Sequence, residues 1–144
     1  MFREIRGMQQ RSRAERRRWF QDPFFDLFVT QNFVGRVQWF QLCYRRDTPA
    51  ERVLEWKRGR GFQHLKVRQP RHAADRESGE LLADGVMPYI DVLQSFERAA
   101  GGLPAALAAF IAEKVRLFGR GGRKYRRKGA PTPRWLERLD QRRL

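Results

Sequence analysis

The chain has 144 residues, of which 41% are hydrophobic and 12% aromatic, and its net charge is +15. This length suits one domain with a real core and is too short for two. A single cysteine, Cys43, excludes an internal disulfide. No window approaches the ~18 apolar residues of a membrane span, and the first residues lack the apolar region of a secretory signal. We therefore expect a cytoplasmic protein that has no membrane partner.

The positive charge is concentrated at the two ends of the chain. Residues 1–20 carry seven Arg and two Glu, for +5, and residues 119–144 carry ten basic and two acidic residues, for +8. The remaining residues, 21–118, contribute +2 of the +15. Basic arms on a nearly neutral domain favour a polyanionic partner such as nucleic acid. The alternative is a genomic bias towards Arg, which outnumbers Lys 26 to 5, but such a bias would not keep acids out of 119–136.

The first predicted element is a short helix in the N-terminal arm, residues 1–19. Ser12 and Glu15 have the spacing of a capping box, which predicts a helix over 12–20. That helix would expose Arg16, Arg17 and Arg18 around its circumference. Asp22-Pro23 would end it, because the residue before proline avoids the helical region.

A run of strands follows. The segments 24–30, 35–46, 51–57 and 62–68 are rich in β-branched and aromatic residues and are separated by turn residues. Short turns between successive strands predict an antiparallel meander of four to five strands, with ELLA near residue 80 as the fifth. Segment 35–46 is apolar at both alternating sets of positions, as in a strand covered on both faces, whereas 51–57 has the pattern of a half-exposed strand. Residues 69–79 have no periodicity, which predicts a loop.

Two helices complete the predicted core domain, residues 20–118. Asp91 has the position of an N-cap for a helix that reaches Ala100, and Pro104 suits the first turn of a helix over 104–118. The apolar residues of the second helix recur near the 3.6 period. Both helices should pack on one face of the sheet, which predicts an α+β fold.

The composition changes after Phe118. Residues 119–131 offer no large aliphatic side chains for burial, so the tail, 119–144, should be flexible in isolation. Thr132-Pro133 then resembles the start of a short helix. Trp135, Leu136 and Leu139 would share its apolar face and could dock on a partner.

Several motifs of the core are similar to those of an uncharacterised family of small bacterial proteins. The resemblance covers about 19–118 and is carried by Trp19-Phe20, Phe25-Asp26-Leu27, the FQLCY run 40–44, Glu51-Arg52, Trp56, Gly61-Phe62 and His64. Arg45-Arg46 and Gln63 depart from the family's pattern. The family has no established activity, so the resemblance implies a domain boundary and not a function.

Catalytic and metal-binding chemistry has little support in the sequence. Cys43 and His64 could form a nucleophile–base pair, but a cysteine alternating with apolar residues in a central strand is typical of a core position. Two histidines, His64 and His72, and one cysteine provide no metal cluster, and neither Gly-rich segment has the Lys-Ser/Thr of a phosphate-binding loop. The acids Asp26, Asp47, Glu51 and Glu55 are expected to pair with arginines on an exposed sheet face. We expect no enzyme activity, no cofactor and no metal.

Phosphate binding is the better-supported chemistry. Cations at a hairpin tip, flanked by Trp56 and Phe62, could hold phosphates while an aromatic ring stacks on a base, but a solvated loop with Trp56 in the core is the favoured alternative. Glycines and basic residues after Phe118 could follow a phosphate backbone. The predicted nucleic-acid-binding residues are Arg16, Arg17, Arg18, Lys57, Arg58, Arg60, Arg120, Arg123, Lys124, Tyr125, Arg126, Arg127 and Lys128.

These patterns predict a non-catalytic nucleic-acid-binding protein, with RNA favoured over DNA and no sequence specificity. The alternative is a protein-interaction subunit of a larger bacterial complex, in which the sheet and the terminal helix dock on a partner with an acidic surface. The sequence leaves the oligomeric state open.

Overall fold

The fold is an antiparallel sheet with two helices on one face, as the computed structural model shows for residues 1–67, 81–83 and 86–124. Its strands pair in sequence order, each with its neighbours along the chain, so the predicted α+β meander is confirmed, with seven strands in the described residues where four to five were predicted. The elements are β1 (Arg3–Ile5), β2 (Glu15–Gln21), β3 (Phe25–Asn32), β4 (Val37–Tyr44), β5 (Arg52–Lys57), β6 (Gly61–Val67), β7 (Leu81–Ala83), α1 (Tyr89–Ala99), a 3₁₀ turn (Ala100–Gly102) and α2 (Ala105–Gly119).

The predicted N-terminal helix is wrong, because residues 12–20 contribute to a strand. Ser12 Oγ accepts a hydrogen bond from the amide of Ala14 (3.1 Å), a local turn that precedes β2. From Glu15 onward the chain pairs with β3 over seven residues, and β1 pairs with β2 in turn. Extended backbone places Trp19 and Phe20 on opposite faces, and both are buried. The N-terminal residues are therefore part of the sheet and not an arm outside it.

The larger core lies between the sheet and the two helices. Leu27, Leu42 and Leu54 form a row across β3, β4 and β5, and α1 and α2 cover it with apolar side chains that include Phe96 and Ile111. None of these five side chains exposes measurable area. Burial of this face is the main contribution to the stability of the domain.

Phe2 joins the N-terminus to the same core. Its ring centroid lies 5.6 Å from the centroids of both Phe25 and Phe96, and its amide donates to Ala99 O (2.9 Å). The first residues thus contact both the sheet and the end of α1.

The opposite face of the sheet carries a second, smaller apolar cluster. It consists of Trp19, Phe28, Cys43, Val53 and Leu65, with Ile5, Met8 and Trp39 packed against it. This confirms that β4 is covered on both faces. A bulge between Thr30 and Gln31 changes the register between β3 and β4. Val37 and Trp39, which regular alternation would place on one face, therefore lie on opposite faces: Val37 in the helix-side core and Trp39 against the smaller cluster.

Strand β5 is buried more completely than predicted. Val53, Leu54, Glu55 and Trp56 are all buried, so the expectation of a half-exposed strand is wrong. A single polar residue at an alternating position suggested a solvent face, but Glu55 accepts a hydrogen bond from Gln41 Nε2 (2.7 Å) instead of facing water. A buried carboxylate is tolerated when such partners are present.

The helices begin close to the predicted positions. Asp91 is not the N-cap of α1, because the helix begins at Tyr89 after Pro88. Asp91 lies instead in the first turn, where its negative charge interacts favourably with the positive end of the helix dipole. Pro104 directly precedes α2, as expected for a proline at a helix start. In the described ranges, neither helix has the length and apolar character needed to cross a bilayer. The predicted loop 69–79 and the helix after Thr132-Pro133 lie outside the described residues.

Candidate nucleic-acid interface

Two hairpin turns lie side by side at one end of the sheet. The β5–β6 turn follows Lys57 and is closed by a hydrogen bond from the Arg60 amide to Lys57 O (3.0 Å). The Arg58 amide donates to Gln38 O (2.9 Å), and the Arg58 guanidinium donates to Val37 O through Nε (3.0 Å) and Nη2 (2.8 Å). These bonds attach the turn to the start of β4, next to the β3–β4 turn.

The segment after α2 docks beside the same turn. The Phe62 amide donates to Arg123 O (2.7 Å), and Phe62 and Lys124 form a parallel bridge. Gly61 has φ +110°, and a Cβ at this position would collide with the carbonyl of Arg123. The close approach therefore requires glycine. This contact places Arg123 and Lys124 of the tail next to the β5–β6 turn.

We call the resulting surface the basic rim. It comprises Arg36, Lys57, Arg58, Arg60, Lys114, Arg123 and Lys124, from the two turns, from α2 and from the segment after it. Lys57, Arg60, Arg123 and Lys124 are exposed, as is Arg36, whereas Arg58 and Lys114 are half-buried. The structure thus joins two predicted groups, the hairpin tip and the start of the tail, and adds Arg36 and Lys114, which were not predicted.

Trp56 lies beneath the rim and belongs to the core. It is 6% exposed, and its ring packs against Phe40 (5.9 Å between centroids) and Phe110 (5.3 Å). Lys114 Nζ lies 4.6 Å and Arg58 Cζ 5.2 Å from its ring centroid, distances at which cation–π attraction operates. Since Phe62 is also buried, the predicted stacking of a base on Trp56 or Phe62 is excluded in this conformation.

The rim cations repel one another. Partial burial lowers the pKa of Lys114, and the charge of Arg58 lowers it further. The pKa of Arg58 is lowered by burial and then by the charge of Arg36. Within the described ranges, no carboxylate lies in ion-pair distance of Arg36, Lys57, Arg58, Lys114, Arg123 or Lys124, and the nearby Glu113 pairs with Arg116 (3.6 Å). The charge of Glu113 raises the pKa of Lys114, against the effects of burial and of Arg58. The rim as a whole still presents an excess of positive charge to solvent.

The N-terminal arginines do not form the continuous surface that was predicted. Arg18 makes a bidentate ion pair with Glu4 (2.8 and 2.9 Å), and this hydrogen bond is the main reason that the pKa of Glu4 lies below 4.5. Arg17 is buried, and its guanidinium donates to Gln9 O (3.2 Å). Of the three, Arg16 alone is exposed. Arg17 points to the opposite face of the strand, and Arg18, on the same face as Arg16, is half-buried and paired with Glu4.

Other predicted residues lie at or beyond the end of the described chain. Arg120 is exposed at the C-cap of α2, where its amide donates to Arg116 O (3.1 Å). The remaining predicted positions lie outside the described residues, and their roles stay predictions: Tyr125, Arg126, Arg127, Lys128, Trp135, Leu136 and Leu139.

The candidate nucleophile and base are not brought together. Cys43 belongs to the smaller apolar cluster, on the face of the sheet opposite the helices. His64 lies on the helix side, where its Nε2 is 2.6 Å from Tyr44 Oη in a buried hydrogen bond. The Tyr44–His64 pair was missed by sequence reasoning, although both residues occupy helix-side positions two strands apart. Among the described residues, no group of three or more acidic, His or Cys side chains is placed to hold a metal ion.

The acids expected on an exposed face are largely buried. Asp26, Glu51 and Glu55 are each at most 2% exposed. Asp26 Oδ1 accepts hydrogen bonds from Trp19 Nε1 (2.7 Å) and Gln21 Nε2 (3.0 Å). It also pairs with Arg46, so an arginine partner is present, but at a buried site. These carboxylates hold strands together and are not available to neutralise the rim.

Comparison of the chain with protein-family models, with curated proteins and with solved structures found no match. The resemblance to the family of small bacterial proteins thus stays a prediction.

The docking of the tail gives a first testable prediction. We expect Gly61→Ala to destabilise the fold by about 1–3 kcal/mol, from backbone strain at positive φ, and to accelerate hydrogen exchange of the Phe62 amide. Gly59→Ala is the matched control, since Gly59 also has positive φ (+79°) but nothing lies within 4 Å of an added Cβ. Equal exchange rates at Phe62 in the two variants, measured by NMR, would show that Gly61 does not hold the segment.

Proposed function

We propose that this protein is a non-catalytic nucleic-acid-binding protein whose basic rim binds phosphates without reading sequence. One observation carries the proposal: cations from separate segments of the chain converge, although burial and then the charge of a neighbouring arginine lower the pKa of both Lys114 and Arg58. An arrangement that is unfavourable in the free protein is favourable once an external polyanion supplies the missing negative charge.

Phosphates match this surface better than isolated carboxylates do. A nucleic-acid backbone presents a row of regularly spaced charges, and each phosphate that is neutralised releases condensed counterions. The rim brings several cations together, from Arg36 through the β5–β6 turn to Lys124. The sequence then continues into Tyr125, Arg126, Arg127 and Lys128, which extends the positive charge along the chain.

RNA is favoured over DNA by the tail. A glycine-flanked basic sequence suits the crevices of a structured RNA, where backbone and side chains can follow an irregular phosphate surface. The described cations of the rim lie on hairpin turns, on the flank of a helix and on the segment after it, and not along a recognition helix that could enter a DNA major groove.

The alternative function, a protein-interaction subunit, receives less support. Strands β3, β4 and β5 are buried at most positions on both faces, so the sheet does not offer a free docking surface there. An acidic partner protein could still use the rim.

A salt titration of the full chain tests the proposal. After nuclease treatment and repurification, the protein is titrated against labelled RNA at several salt concentrations. If six rim cations each neutralise one phosphate, log K should fall against log salt with a slope of about −4 for single strands. Binding that does not change with salt, together with recovery of one stoichiometric protein partner after nuclease treatment, would replace this function with the alternative.

A further inference from the structure

An exposed aromatic residue marks the β3–β4 turn. Phe33 is 83% exposed and its neighbour Val34 is 71% exposed, whereas most large apolar side chains of the described residues are buried. Phe33 is the one aromatic ring among the exposed large apolar side chains of the described residues, and its π face is therefore open to contact with another molecule.

Hydrogen bonds order the backbone of the turn that carries this ring. Asn32 Oδ1 accepts hydrogen bonds from the amides of Val34 (3.1 Å) and Arg36 (2.9 Å). The backbone of Asn32 also bonds to Arg36 O and to the Gly35 amide, and Gly35 adopts the positive φ (+85°) that the turn requires. Because the backbone is already ordered, little conformational entropy is lost when the ring makes a contact.

The ring stands next to the basic rim. Arg36 belongs to the same turn, and its charge acts on Arg58 in the neighbouring turn. An aromatic platform beside phosphate-binding cations is the arrangement with which proteins hold single-stranded nucleic acid, since bases stack on the ring while the backbone follows the charges. Trp56 and Phe62 cannot provide that platform, because both are buried.

We propose that Phe33 stacks on an unpaired base and that the preferred ligand is therefore single-stranded or looped RNA and not a continuous duplex. This inference rests on the proposed function, because the rim must hold the backbone for the base to reach the ring. Arg36 contacts the phosphate next to the stacked base, and the stacking adds affinity that salt does not weaken.

The test compares Phe33→Ala, Phe33→Leu and Phe33→Trp on two ligands, a short oligoadenylate and a blunt RNA duplex of equal length. We expect Phe33→Ala to weaken oligoadenylate binding by about 5- to 100-fold while its salt slope and its duplex binding stay unchanged. Phe33→Leu should be as weak as Phe33→Ala, because leucine is apolar but has no π face, and Phe33→Trp should bind at least as tightly as the wild type. Val86→Ala is the matched control, since Val86 is 85% exposed and lies outside the rim.

Each contrary outcome has a distinct meaning. If wild type and Phe33→Ala bind oligoadenylate equally, the stacking contact is wrong and the phosphate-binding function stands. If Phe33→Leu retains wild-type affinity, the contact is apolar and not stacking. If, in addition, the wild type binds phosphatidylserine vesicles and Phe33→Ala does not, the turn is a lipid-binding surface. If the wild type shows no salt-dependent binding to either RNA, both the stacking contact and the proposed function are wrong.

Discussion

Replacing Arg36, Lys57, Arg123 and Lys124 together with glutamine will weaken RNA binding by about two to three orders of magnitude at about 100 mM salt. Each cation that neutralises a phosphate contributes about 0.7 to the salt slope on a single strand, so the slope should become shallower by about 3. Fluorescence anisotropy with labelled RNA over a range of salt concentrations measures both quantities.

The four positions are chosen so that the fold survives. All four side chains are exposed, and none has an ion pair within the described residues. Arg58 and Lys114 are left in place because they contact Val37 O and the Trp56 ring. Unfolding curves should show little change in stability, or a small gain, since the substitutions relieve repulsion.

A control variant removes the same charge elsewhere. Arg3, Arg45, Lys66 and Arg98 are exposed and lie outside the rim, and their replacement with glutamine lowers the net charge by the same amount. We expect this variant to lose less than about tenfold in affinity, through long-range attraction alone. If both variants lose equally, affinity follows net charge and the rim has no special role.

Phe96→Ala should destabilise the fold by about 3–5 kcal/mol, the largest effect on stability that we expect from one substitution. Phe96 is fully buried on α1, and its ring lies within 6.1 Å of both Phe2 and Phe25. Removing it opens a cavity where the helix, the sheet and the N-terminus meet, and the surrounding backbone cannot collapse to fill it. Urea denaturation followed by circular dichroism measures the loss.

Ile90→Ala provides the comparison on the same helix. Ile90 is 56% exposed, so its truncation should cost less than about 1 kcal/mol. A loss of under about 1 kcal/mol for Phe96→Ala would mean that α1 is not firmly packed on the sheet.

The elements that were correctly predicted are those specified by local patterns. Strands β3 to β6 are rich in β-branched and aromatic residues between short turns, and α2 repeats its apolar residues at helical spacing behind Pro104. Each of these signals lies within one element and its flanking residues, so it can be recognised without knowledge of the partner surfaces.

The failures arose where distant contacts outweigh local preference. Ser12 and Glu15 have the spacing of a helix start, but pairing with β3 gives Trp19 and Phe20 two buried environments that a two-turn helix could not provide. The charged side chain of Glu55 suggested that one face of β5 is exposed to solvent. Its hydrogen-bond partner, Gln41, which makes burial possible, belongs to another strand and is not apparent from the β5 sequence. Neither partner can be recognised from its own segment alone.

The candidate site was predicted as separate groups and not as one surface. Lys57, Arg58 and Arg60 were identified from their turn, and Arg123 and Lys124 from the composition of the tail. Their convergence depends on the hydrogen bond between Phe62 and Arg123, for which the sequence offers only the glycines that make it possible. Lys114 could have been found from its spacing of four residues after Phe110 on the helix that covers Trp56.

The sequential order of the strands has a consequence for when the binding surface exists. Since every strand pairs with its neighbour along the chain, the sheet can grow hairpin by hairpin as synthesis proceeds. The bridge between Phe62 and Lys124 is different, because it joins β6 to residues beyond α2 and must wait until both helices have been made. A nascent or truncated chain therefore lacks the assembled basic rim, so we expect the proposed RNA binding only after the segment beyond α2 has docked.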